Sequence, residues 1–110
     1  MSQIPEDSAS KEKLHILLYQ LSEQLKNPPI VIDLHDWRES VEIIMKEIEE
    51  FSPYVFERLE DLVVEAIRLA NIHVLDLDKE APPKEVEHSA IEYQEQIAFV
   101  SSEINAIKSL

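Results

Sequence analysis

The sequence predicts an all-α fold: an antiparallel four-helix bundle-like domain with a long C-terminal helix. Three observations carry that expectation. Apolar residues recur at spacings of three and four in four separate stretches, the pairs Pro28-Pro29 and Pro82-Pro83 together with Pro53 divide those stretches, and 110 residues suffice for one core but not two.

Residues 1–9 are polar and read as a disordered tail, with residues 10–110 as a single helical domain. The first helix, from about Ser10 to Lys26, places Leu14, Leu18, Leu21 and Leu25 on one face, widened by Leu17. Pro29-Ile30-Val31-Ile32 is β-branched and is expected to be an extended connection. The second helix, about Asp36 to Phe51, aligns Trp37, Val41, Ile44, Ile48 and Phe51. Two starts are open: Asp36 as cap with Glu39 three residues on, or Asp33 as cap with Ile32 stapled onto Trp37. The third helix has a sharper start, with Ser52 as N-cap, Pro53 at N1 where its missing N–H is no loss, and Phe51 placed to pack on Phe56. It continues through Val55, Leu59, Leu62, Ala66 and Leu69, flanked by Phe56, Val63, Ile67 and Ala70, and Ile72 to Leu75 reads as its frayed end. From Pro83 the fourth helix carries Val86, Ala90, Tyr93, Ile97, Val100, Ile104 and Ile107 in strict alternation of four and three, the pattern of a bundle seam. At about 25 residues it is expected to overhang the shorter first two helices, leaving Ile104, Ile107 and Leu110 in need of a partner. Trp37 is expected in the core; Tyr93 is either core or an anchor in a subunit contact.

Composition narrows the function. The chain has 23 acidic and 10 basic residues, a net charge of −13, with −5 on residues 28–52 and −4 on residues 53–78. Such a surface repels phosphate backbones and anionic lipid, so neither nucleic acid nor membrane is an expected partner; a basic protein is. The absence of cysteine excludes thiol catalysis and Cys-ligated metals, and the absence of glycine excludes Gly-rich phosphate cradles and the Gly-x-Ser-x-Gly nucleophile elbow. The first residues form no basic and apolar leader and no segment has the length of a membrane span, so the expected location is cytoplasmic.

Two carboxylate patterns raise catalysis. Glu47-Ile48-Glu49-Glu50, followed by Phe-Glu-Arg-Leu-Glu-Asp-Leu-Val from Phe56 to Val63, resembles the MazG-type arrangement of two helices that together hold magnesium. The resemblance implies a magnesium-dependent all-α nucleotide pyrophosphohydrolase on a dimeric bundle, with Glu47, Glu50, Glu57 and Asp61 facing one another. It covers about two helices and neither motif has the family's spelling, while Glu49, Glu50, Glu60 and Asp61 fall opposite the apolar stripes, where a solvated charged face is expected. A Glu-x-x-His pair, Glu85 and His88, suggests a diiron site, but a second such pair is missing and these two point away from the seam. In an up-down-up-down bundle His35, His73 and His88 share one pole with several carboxylates, a conceivable metal or pH-sensing group set against three scattered surface histidines.

The sequence therefore reads as a non-enzymatic, acidic helical protein-interaction module, an adaptor, assembly chaperone or antitoxin-type inhibitor of a basic partner, without cofactor and homodimeric through the third and fourth helices. The candidate partner-binding residues are Glu49, Glu50, Glu57, Glu60, Asp61, Tyr93, Ile97, Ile104 and Ile107. Pyrophosphohydrolase is the alternative.

Overall fold

The computed structural model describes residues 8–26 and 33–109, and its regular elements are four helices: α1 (Ser8–Lys26), α2 (Leu34–Phe51), α3 (Pro53–Asp78) and α4 (Pro83–Lys108). Residues 1–7 of the expected tail, the Ile30 to Ile32 connection with its proposed staple, and Leu110 lie outside the described residues. Ser8 and Ala9, assigned by sequence to the tail, are already helical. Each helix packs on the next and α1 closes onto α4, an up-down-up-down arrangement in which the α3–α4 contact is the most extensive. No helix among the described residues is long and apolar enough to cross a membrane.

The core is aliphatic. Leu14, Leu17, Leu18, Leu21 and Leu25 of α1 are all buried, so this helix is gripped from two sides. On α2 the buried row is Trp37, Val41, Met45 and Ile48, whereas Ile44 is half-buried and Phe51 exposed. The expected seven-residue row is thus displaced toward Met45, because a straight helix repeats every 3.6 residues and drifts against a strict heptad. On α3 the same drift buries Val63 and leaves Leu62 half-buried. The α4 row is buried from Tyr93 through Ile97, Val100 and Ile104 to Ile107, while Val86 and Ala90 are half-buried.

Helix ends explain the boundaries. Ser52 caps α3 as its position before Pro53 predicts, its Oγ accepting from the Val55 N–H at 3.3 Å. Neither expected cap of α2 forms. Asp33 precedes the helix with φ −92° and ψ −2°, a helical rather than extended backbone, and its side chain makes no capping bond; Asp36 lies inside the first turn. Two aromatic side chains close the end of α1, whose last carbonyls have no helical partner. Trp37 Nε1 donates to the Gln24 carbonyl at 2.9 Å, and the Tyr93 hydroxyl donates to that of Leu25 at 2.6 Å, with the two rings in tilted contact at 6.4 Å.

The segment Ile72 to Leu75 is fully helical, which also excludes a strand there: α3 continues to Asp78 and buries Val74. The reason is pairing with α4 along the whole length of both helices, 26 residues each. Arg58 bonds Glu103, Gln96 Nε2 donates to the Leu62 carbonyl at 2.9 Å, and His73 Nδ1 lies 2.9 Å from Ser89 Oγ. Because Tyr93 meets the last turn of α1, roughly ten residues of each hairpin arm project about 15 Å beyond it. The overhang is therefore at the α3–α4 turn and not at the C-terminal end.

Candidate functional site

Between α2 and α3 lies a groove of about 270 Å³. Its floor and walls are Val41 and Met45 from α2 and Phe56, Val63, Val64 and Ile67 from α3, and its rim carries Glu42, Lys46, Glu49 and Glu60. The apolar lining follows from the breadth of α3. A helix needs one stripe to hold a bundle, and α3 has a second, with Phe56 and Ile67 half-buried and Val64 still 60% exposed. The volume lies below the ~300 Å³ at which pockets begin to enclose a drug-sized molecule, and the site is partly open to solvent.

The rim is one part of a larger acidic surface. Glu47, Glu49, Glu50, Glu57, Glu60 and Asp61 are all exposed, and none has an ion-pair partner among the described residues. Other carboxylates do find cations: Glu42, on the rim itself, accepts from Arg38 Nε at 2.9 Å, Glu65 pairs with Arg68, Glu103 with Arg58 and Asp76 with Lys79 at 3.5 Å. The last turn of α2 contains no basic residue, so Glu47, Glu49 and Glu50 crowd the negative end of their own helix.

The residues singled out from sequence divide into two groups. Glu49 and Glu60 line the groove, and Glu50, Glu57 and Asp61 stand on the same two helices outside it. Tyr93, Ile97, Ile104 and Ile107 are 2%, 7%, 2% and 3% exposed within the single chain. This corrects the expectation that the C-terminal seam needs a partner: with α3 as long as α4, those side chains are covered internally, and Tyr93 is core. The groove residues Met45 and Val64 were not singled out. Val64, adjacent to Val63 and off every stripe, is the signal that could have drawn attention to this face.

The histidines do not converge into a ligand group. His35 sits near Glu39 at 3.7 Å on the first turn of α2, His88 pairs with Glu92 one turn along α4, and His73 donates from Nδ1 to Ser89, whose own proton goes to the Val86 carbonyl at 3.0 Å. Among the described residues the group with metal-ligand spacing is His35, Asp36 and Glu39, all exposed neighbours at the start of α2. Glu85 is exposed, as is His88, and the carboxylates of the MazG-like stretches form no such group. Comparison with known proteins finds no matching family model, no similar curated protein and no similar solved structure.

Proposed function

We propose that this chain is a non-catalytic, cytoplasmic protein-interaction module that binds a basic protein through the α2–α3 face, as an adaptor, assembly chaperone or inhibitor does. The observation that supports this reading best is the coincidence of an apolar groove with a surface of uncompensated carboxylates. Glu49 and Glu50 stand at the negative end of α2 without an ion-pair partner among the described residues, and a cationic partner relieves both. A homodimer belongs to the same proposal, with its contact transferred from the buried seam to the exposed apolar residues Ile72 and Leu75 of α3 and Ile91 and Phe99 of α4.

The test is kinetic. With a partner isolated by affinity capture on the full chain, the association rate should fall steeply between low and high ionic strength while dissociation changes less, because exposed charge acts on encounter and is screened beyond about 8 Å at physiological salt. Reversing Glu49, Glu50 and Asp61 should weaken binding more than reversing Glu87 and Glu95 of α4. Glu103 is unsuitable as a control, since it is the partner of Arg58. An association rate indifferent to salt would refute the reading. So would magnesium-dependent pyrophosphate release from nucleoside triphosphates that disappears in Glu50→Gln or Asp61→Asn, which would establish the pyrophosphohydrolase alternative.

A further inference from the structure

We infer that the α2–α3 groove receives a single amphipathic helix of a partner protein, with lysine or arginine flanking its apolar stripe; this rests on the proposed function and names the partner's chemistry. Three features of the groove lead to it. Its apolar lining on α3 extends from Phe56 to Ile67, about 16 Å along the axis, which is the length of three helical turns. The lining comes from side chains on two helices whose backbone groups are bonded within themselves, and it offers no open sheet edge. An extended peptide laid on it would bury its own N–H and C=O groups without partners, whereas a helix arrives with them satisfied. The third feature is charge. Glu49 stands on one rim and Glu60 on the other, neither with an ion-pair partner among the described residues, so cations on both sides of an apolar stripe meet a carboxylate on each wall; Glu42 on the same rim is already engaged by Arg38, and Lys46 lies beside it.

The same charge argues against a second copy as occupant. The stretches that carry α2 and α3 hold −5 and −4, so their outer faces would bring carboxylates against carboxylates, and the apolar residues of α1 at Leu14, Leu17, Leu18, Leu21 and Leu25 are already buried. The volume of 270 Å³ suits a few aliphatic side chains rather than a whole small molecule.

A labelled synthetic peptide of about 18 residues, with leucines on one helical face and lysines on both flanks, tests the inference against the full-length chain by fluorescence anisotropy and circular dichroism. A scrambled peptide of identical composition, and so identical charge, is its control. The amphipathic peptide should bind and gain helicity, and the scrambled one should bind about tenfold more weakly or less. The decisive variant is Val64→Glu. Val64 is exposed, so the substitution spares the core, and it adds one more negative charge to the face. Attraction by charge alone predicts tighter binding of the lysine peptide; docking in the groove predicts affinity about tenfold weaker, because a carboxylate then occupies the apolar wall. Glu49→Lys with Glu60→Lys should weaken binding by a similar factor, and Glu87→Lys with Glu95→Lys much less. Equal binding of both peptides, or tighter binding to Val64→Glu, would overturn the helix-in-groove inference while leaving the acidic-face reading in place. Binding that ignores reversal of Glu49 and Glu60 would overturn both.

Discussion

Two aromatic residues carry chemistry that is structural and specific. Tyr93 is a core residue with a polar task, since its hydroxyl holds a carbonyl at the end of α1 that would otherwise be buried without a partner. Burial pushes the phenol well above its ordinary value. The sign follows from linkage: the folded chain retains the proton, the unfolded chain releases it near pH ~10, and above that pH the unfolded state binds fewer protons, so stability falls as pH rises. Tyr93→Phe should cost about 1 kcal/mol at neutral pH, measured by urea denaturation, through the lost bond to Leu25. The difference between wild type and variant should then shrink as the pH passes ~10, because only the wild type has this proton to lose. A difference constant with pH would mean that the hydroxyl is not buried in solution. Trp37 acts in the same way on Gln24, and its place in the core is the one its stripe position predicts.

At the scale of the elements, the α3–α4 connection shows what a chain without glycine does at a helix C-terminus. The Ala81 N–H bonds the Asp76 carbonyl at 2.9 Å and the Glu80 N–H bonds that of Leu77 at 3.3 Å, the paired bonds of a Schellman ending. That geometry requires a left-handed residue, and Glu80 supplies it with φ 53°. A side chain there strains against its own carbonyl, and a carboxylate stands at the negative end of α3. Glu80→Gly should therefore raise stability by about 0.5–1 kcal/mol in chemical denaturation, with no change in partner binding. A loss of stability would show that the turn is held by contacts of the Glu80 side chain. The opposite end of the same helix needs no such improvement, because Ser52 and Pro53 already provide a bonded cap and a preset backbone.

For the molecule as a whole, charge and shape pull in different directions. A net charge of −13 opposes self-association, while the hairpin that projects past α1 leaves Ile72 and Leu75 exposed, and Phe99 farther along α4 is 63% exposed. The proposed homodimer should form at high micromolar concentration and strengthen with salt, as repulsion is screened, whereas association with a basic partner should slow. Phe99→Asp should yield monomers that retain the wild-type helical spectrum. Ile97→Asp or Ile104→Asp should instead unfold the chain, since each places a charge in an internally buried row. Sedimentation of the wild type as a monomer at that concentration would remove the dimer from the proposal.

The sequence by itself determined the class, the number of helices and most of their limits. Local physics suffices for that: Leu14 to Leu25 and Tyr93 to Ile107 repeat at helical spacing, proline cannot continue a helix, and Ser52-Pro53 starts one. It also determined that Glu47, Glu49, Glu50, Glu57, Glu60 and Asp61 face water, because they lie opposite the apolar rows; Asp76, buried near the end of α3, was not legible in the same way. Tertiary structure alone decided which apolar residues are spare. Ile107 and Leu75 are both aliphatic near the ends of long helices, yet one is sealed and the other open, and the difference is set by how far the neighbouring helices reach. The α3 stretch Ile72 to Leu75 is β-branched in part and locally ambiguous; it becomes helix because α4 runs beside it to the turn. The groove exists for the same reason. Its walls come from residues more than twenty apart in sequence, such as Val41 and Ile67, and their separation depends on the packing of α2 against α3, a relation between helices that no periodicity within one helix contains.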